Sequence, residues 1–159
     1  MAAAMRDRIR MDPHALARFL HEERTMTCAT LGPRGLPHLM PLWYVVRGGP
    51  ELWAWTYAAS QKVRNLERDP RATLQVHACE RYEELRGAML ETDVTIHRDQ
   101  DVVLALGLEL HRRYRGDLNE ATERAVRTQS PKRVALQFHT RRTISWDHRM
   151  FSMRQGASS

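Results

Sequence analysis

At 159 residues the chain suits one domain, and its 42% hydrophobic and 28% charged residues lie in the range of ordinary globular proteins. The formal net charge of +6 favours anionic partners, but the arginines are scattered among acidic residues, so a nucleic-acid-binding tail is not indicated. No run of about 18 apolar residues is present to span a membrane, and Met1-Ala2-Ala3-Ala4-Met5-Arg6 lacks the apolar core of a signal peptide, so a cytoplasmic protein is expected.

Residues 1–11 are expected to be a flexible N-terminus, residues 12–152 the folded domain and residues 153–159 a disordered tail. Asp12 is a suitable N-cap and Pro13 suits the first helical position; Leu16, Phe19 and Leu20 then share one helical face to about Glu23. Residues 25–31 read as a strand, Gly32-Pro33-Arg34-Gly35 as a turn and residues 36–46 as a second strand. Arg47-Gly48-Gly49-Pro50 is a second turn, and residues 51–57 a third strand. A short helix over 61–68 is stopped by Asp69-Pro70. From 71 to 78, Ala72, Leu74, Val76 and Ala78 alternate with Arg71, Thr73, Gln75 and His77, the pattern of a half-buried strand. A longer strand follows over 84–97. Asp99 caps a helix carrying Val103, Leu106 and Leu110 and ending at Tyr114-Arg115-Gly116. A further helix over 118–129 is broken by Ser130-Pro131, and a last strand runs from 134 to about 146. Cys28 and Cys79 both fall in predicted strands and are expected to be buried free thiols, because two cysteines without a secretory signal make no disulfide framework.

These elements predict a mostly β protein with flanking helices, built as a six-stranded antiparallel split β-barrel. Pro41 lies in the middle of the second strand and has no N–H for a ladder, so that strand is expected at an edge or a bulge. The same strand is apolar on both faces, with Met40, Leu42 and Tyr44 on one and Leu39, Trp43 and Val45 on the other. Such an edge needs a cover, from a partner subunit or a large flat ligand.

The segment from Trp55 to Leu66 runs from a strand into a helix. Ser60 stands at the N-cap position, and Lys62 and Arg64 fall in the first turn, where cations oppose the helix macrodipole. The arrangement is coherent if an anion sits at the helix start, with backbone N–H groups, the Ser60 hydroxyl and the Lys62 ammonium converging on one phosphate. A surface helix with solvated charges is the alternative that these residues alone leave open.

Thr56-x-x-x-Ser60-x-Lys62 resembles the phosphate-binding segment of the pyridoxamine-phosphate-oxidase-like split barrels, and Asn65-Leu66-x-x-Asp69-Pro70-Arg71 continues the likeness. More of the chain, over about residues 12–150, is similar to the flavin/deazaflavin oxidoreductase branch, and within it to the B-type reductases that depend on the deazaflavin coenzyme F-420. The matching pieces are Thr30-Leu31-Gly32-x-x-Gly35-x-Pro37-His38-Leu39, Leu42-Trp43-Tyr44, Tyr82-Glu83-x-Leu85-Arg86-Gly87, Arg113-Tyr114-x-Gly116, Lys132-Arg133-Val134 and Arg141-Arg142-Thr143-x-Ser145-Trp146-Asp147-His148. The resemblance implies an FMN-binding split-barrel fold and a homodimer with cofactor in the grooves between subunits. It implies that the ring lies against Met40, Pro41, Leu42 and Trp43, and the phosphate at Ser60, Gln61 and Lys62. Trp55, Thr56 and Asn65 of the same segment join this cofactor-binding set. Tyr82 and the stretch from Trp146 to Arg149 would line the site, the latter from the other subunit. The oxidase's second-strand pattern has an arginine where this chain has apolar residues, so pyridoxamine phosphate oxidation is not expected.

Other chemistries are less well supported. His38, His77, His97, His111, His139 and His148 are spread over several elements without metal-ligand spacing, so no metal is expected. Ser60 is flanked by Ala59 and Gln61 rather than glycines, so there is no nucleophile elbow. Trp43, Tyr44, Trp53 and Trp55 would serve single-stranded nucleic acid as stacking platforms, but strand aromatics are more often core or ring-stacking residues. Between the cofactors, F-420 is preferred to FMN: both carry a tricyclic ring and a phosphate, and the polyanionic F-420 tail would suit Arg64, Arg68 and Arg71, or Lys132 and Arg133. The expected activity is hydride transfer from reduced F-420 to an unsaturated small-molecule substrate. An FMN-binding oxidoreductase of the same fold, or a non-catalytic cofactor-binding protein, is the alternative. No catalytic residue is assigned, since the cofactor carries the chemistry; Tyr44 and His38 are candidates for substrate protonation.

Overall fold

The computed structural model describes residues 2–151, so the expected tail, residues 153–159, lies outside the described residues. In chain order it forms α1 (Ala2–Arg8), α2 (Pro13–Glu22), β1 (Thr25–Leu31), β2 (Pro37–Trp43), β3 (Val45–Val46), β4 (Leu52–Tyr57), α3 (Gln61–Arg68), β5 (Arg71–Ala78), β6 (Arg86–His97), α4 (Gln100–Arg115), α5 (Glu120–Gln129) and β7 (Arg133–Asp147). α1 precedes the first helix read from the sequence. α2 is capped as expected: the Asp12 carboxylate accepts from the Ala15 amide at 2.8 Å, and the helix buries Phe19 and Leu20. Among the described residues, no helix is long and apolar enough to cross a membrane.

The strands make one antiparallel sheet in the order β2-β1-β5-β6-β7-β4-β3, with seven strands instead of the expected six. The difference arises at Tyr44, inside the strand expected over 36–46. Its side chain is fully buried, and its hydroxyl lies 2.8 Å from the Leu20 carbonyl. Its amide donates to the Tyr114 hydroxyl at 3.1 Å instead of to a neighbouring strand. The chain therefore leaves the β1 ladder at Trp43 and rejoins the sheet at Val45 against β4.

Two smaller corrections concern the segment after β5. Residues 82–84 form a 3-10 turn, so β6 begins at Arg86. Cys79 follows β5 with a φ of 73° and is exposed, contrary to the expected buried strand thiol. Cys28 is buried in β1 as expected.

Inward-facing residues of β1, β5, β6 and β7, such as Met26, Leu74, Leu90 and Phe138, meet Phe19 and Leu20 of α2 and Val63 and Leu66 of α3 in the main core. A second cluster lies where Val103, Leu106 and Leu110 of α4 pack on Val45 and Ala135. Burial of a side chain of this size is worth roughly 1.5–3 kcal/mol, so α4 is firmly seated on the β3/β7 side of the sheet. β2 is an edge strand, and Pro41 stands opposite Thr27 in its single ladder, where its missing N–H is tolerated. Leu39 (58% exposed), Met40 (40%) and Trp43 (44%) leave apolar surface uncovered on that edge.

Candidate functional site

β4 ends at Tyr57, and a tight turn closed by the Ser60 amide on the Tyr57 carbonyl (3.1 Å) leads into α3. The helix's first amides have no intrahelical acceptor. Ser60 occupies the N-cap with extended backbone, but its hydroxyl makes no capping bond. That oxygen is buried and has no partner among the described residues.

Lys62 is the unusual residue of this turn. Only 7% exposed, it donates from Nζ to the Thr56 hydroxyl at 3.0 Å. No carboxylate lies within 4 Å of Lys62, Arg64, Arg115, Lys132 or Arg133 among the described residues. Burial, aided by the nearby Arg133 charge, holds the Lys62 pKa below its ordinary value. A buried ammonium without a counter-charge is normally avoided. Asn65, fully buried one turn on, donates to Thr30 at 3.0 Å and accepts from Gln61 at 2.9 Å, which fixes the helix against β1.

The β4–β7 register places Arg133 opposite Tyr57, on the sheet face that carries Trp55 and Tyr57, and its charge is felt at Lys62. Its guanidinium carbon lies 3.5 Å from the Tyr57 ring centre and 4.6 Å from that of Trp55. Its Nε is buried without an acceptor. The ring contacts are cation–π interactions, which substitute in part for an anion. Beside it, a cavity of about 360 Å³ opens between β2, β4 and α4, walled by Pro41, Leu42 and Trp43 on one side and Trp55 on another.

The structure thus brings together Pro41, Leu42, Trp43 and Trp55 in one cavity, and at the start of α3 it pairs Lys62 with Thr56 and links Gln61 through Asn65 to Thr30. Met40 stays on the exposed edge of β2. Among the described residues, Tyr82, Trp146 and Arg149 make no hydrogen bond to this group. Tyr82 packs edge-on against His148, Trp146 lies across Gly87, and Arg149 donates to Asp147 at 2.6 Å. Tyr44 is removed as a proton donor: its hydroxyl is directed at the Leu20 and Glu23 carbonyls, and burial pushes its pKa up. Of the expected basic groove, Arg71 is taken by Asp69 (Nη2–Oδ2 2.6 Å) and Arg68 donates to the Leu31 carbonyl at 2.5 Å. Arg133 was read only as part of a basic groove for the coenzyme tail, and the α4 residues His111 and Arg115 were not among the residues read as the site. The α4 residues carried no local signal in the sequence.

The family model for pyridoxamine 5'-phosphate oxidase matches residues 12–147. A conserved hypothetical protein of Mycobacterium tuberculosis is 37% identical, with a TM-score of 0.84 over 91% of this chain and 89% of that one. A solved F-420 reductase is 23% identical with a TM-score of 0.65, covering 79% and 93% of the two chains. A FAD-binding protein of Mesorhizobium loti is 15% identical with a TM-score of 0.61, covering 85% and 93%. The last two show the shared fold. A search of curated proteins gave no significant match. A match over so much of the chain, with a half-barrel sheet and a cation-lined turn after β4, establishes that the chain belongs to the pyridoxamine 5'-phosphate oxidase family of split-barrel proteins.

Proposed function

We propose that the chain is an oxidoreductase that binds a phosphate-bearing tricyclic coenzyme between β2 and β4, with the deazaflavin coenzyme F-420 preferred to FMN. The observation that carries this reading is Lys62, a buried cation with no carboxylate beside it, next to the unpartnered Ser60 hydroxyl at a helix start. A phosphate supplies what this turn lacks: negative charge for Lys62 and Arg133, and acceptors for the Ser60 hydroxyl and the first amides of α3. The residues present therefore fit the group. Bound there, the coenzyme would supply hydride transfer to an unsaturated substrate. Leu42, Trp43 and Trp55 would face the ring and exclude water, while Lys62 and Arg133 hold the phosphate. The preference for F-420 rests on the likeness to the B-type reductases and on Arg64 and Lys132, exposed cations available to a polyanionic tail.

A homodimer is part of the proposal. Tyr82, Trp146 and Arg149 lie apart from Lys62 within one chain, and the outer sheet face around Leu39, Met89, Ile144 and Trp146 forms an apolar hollow. A second copy on that face would cover the apolar edge and bring those three residues to its partner's coenzyme. Sedimentation of the coenzyme-bound protein should give twice the 18.5 kDa chain mass; a monomer with full coenzyme affinity would defeat the dimeric site.

Coenzyme binding is tested by titrating the parent and Lys62→Ala proteins with F-420 and with FMN, following tryptophan fluorescence. Trp43 and Trp55 should be quenched, F-420 should bind more tightly than FMN, and Lys62→Ala should bind at least tenfold more weakly. Unchanged affinity in Lys62→Ala would remove the phosphate assignment, and tighter FMN binding would move the protein to the flavin side of the family.

A further inference from the structure

The cavity between β2, β4 and α4, read above as the seat of the coenzyme ring, carries a charge that the phosphate does not use. Its α4 wall presents His111 and Arg115, one turn apart, beside the apolar Leu110. The titratable or charged residues that line the cavity are His111, Arg115 and Arg133, and no acidic side chain lines it. Arg133 is turned to the Tyr57 and Trp55 rings. Arg115 is exposed and makes no ion pair among the described residues.

Arg115 is held in place by its neighbours. Its guanidinium carbon lies over the Trp43 ring, 5.6 Å from its centre, a cation–π contact. Trp43 is in turn stacked on Tyr114 at 4.5 Å and 9°, and the Tyr114 hydroxyl accepts from the Tyr44 amide at 3.1 Å. The two rings and the cation therefore form a fixed column that ties the end of α4 to β2. Burial together with the Arg115 charge lowers the His111 pKa from 6.5. His111 is therefore neutral at pH 7, which leaves Arg115 as the positive charge of this wall.

The order of parts within the coenzyme decides what can meet that charge. The anionic tail is attached beyond the phosphate, so with the phosphate at Lys62 the part left for the cavity is the ring. The F-420 ring carries an acidic hydroxyl conjugated to the pyrimidine carbonyls, and its anion spreads over both ring edges. FMN carries a methyl group at that position, and its ring is uncharged at pH 7. A fixed cation in an apolar wall favours the ionised ring and is nearly indifferent to the neutral one. We infer that Arg115 is a specificity-determining residue, selecting the deazaflavin ring over the flavin ring by pairing with its anion. This role rests on the coenzyme reading above.

The test is an absorbance titration of the full chain, because ionisation of the ring hydroxyl changes the visible spectrum of F-420. The parent should lower the apparent pKa of bound F-420 by about one unit from that of the free coenzyme, the tenfold effect of one charge-assisted contact. Arg115→Gln, at an exposed position, should keep its fold by circular dichroism and return that pKa to the free value. At about pH 8 it should bind F-420 about tenfold more weakly than the parent does, with its affinity for FMN unchanged. The role is overturned by a parent-like preference for F-420 over FMN in Arg115→Gln, by a ring pKa that is unchanged or raised in the parent, or by equal losses of F-420 and FMN affinity in the variant, which would make Arg115 a structural residue. A parent that binds F-420 with no dependence on Arg115 overturns this role alone. A parent that binds neither F-420 nor FMN overturns the coenzyme reading and this role with it.

Discussion

Replacing Lys62 with methionine should leave the coenzyme-free protein as stable as the parent or more so, while its affinity for a phosphate-bearing coenzyme falls. Methionine keeps most of the side chain's volume, so the cavity term is small. What is lost is one charge-assisted hydrogen bond to Thr56, worth about 1.5–3 kcal/mol. What is gained is relief from holding an ammonium out of water, several kcal/mol for a buried ion. The net is a change between about zero and +2 kcal/mol, or up to roughly 8 °C in Tm for a chain of this size. Burial lowers the folded-state pKa of Lys62 below 10.5, so the unfolded chain binds more protons there. The parent's penalty is thus present at neutral pH, and its stability rises with pH as the folded ammonium deprotonates, up to about 10.5. Lys62→Met should lack that rise. Removing a desolvated charge partner costs binding 2 kcal/mol or more, so the Kd for F-420 should rise about 30-fold or more. The assays are thermal melts of the coenzyme-free proteins from pH 7 to 10.5 and a fluorescence titration at pH 7. A fall in Tm of more than about 4 °C with unchanged coenzyme affinity would refute the reasoning and make Lys62 a structural residue.

Three further outcomes are expected. Gly87→Ala places a methyl group inside the Trp146 indole; overpacking of this kind costs about 1–3 kcal/mol, measurable by urea unfolding. Arg113→Met removes a guanidinium that donates to the Leu20, His21 and Glu23 carbonyls at 3.2, 2.9 and 2.9 Å at the end of α2; a loss of about 2–3 kcal/mol follows from leaving that helix end open, and an unchanged melt would contradict it. A disulfide reagent added to the native protein should titrate one thiol, because Cys79 is exposed while burial pushes the Cys28 thiol up to about 12; two fast thiols would contradict the core placement of Cys28.

What was legible in the chain was what neighbours within a few residues decide. The alternation of Ala72, Leu74 and Val76 marks β5 and its buried face, and Pro41 alone requires an edge for β2. The break at Tyr44 was not legible, because the group that takes its amide is the Tyr114 hydroxyl, 70 residues away. Cys79, read as a strand residue, stands one residue past the expected strand, which like β5 ends at Ala78 where the chain turns to positive φ. The candidate site divides in the same way. Ser60 and Lys62 stand out because two cations in a helix's first turn oppose its dipole, a conflict visible within five residues. Arg133 enters through the register that sets it opposite Tyr57, and Arg115 through the packing of α4 on the second cluster; neither breaks a local rule. The proline within a strand and the uncovered apolar edge lie on β2, and the buried lysine is bonded to Thr56, the neighbour of the Trp55 that shares a cavity with Pro41; each of them breaks such a rule. A sequence selected for stability alone would have removed each of them independently. Their convergence on one place is the strongest reason to put the chemistry there, and it holds whichever coenzyme the split accepts.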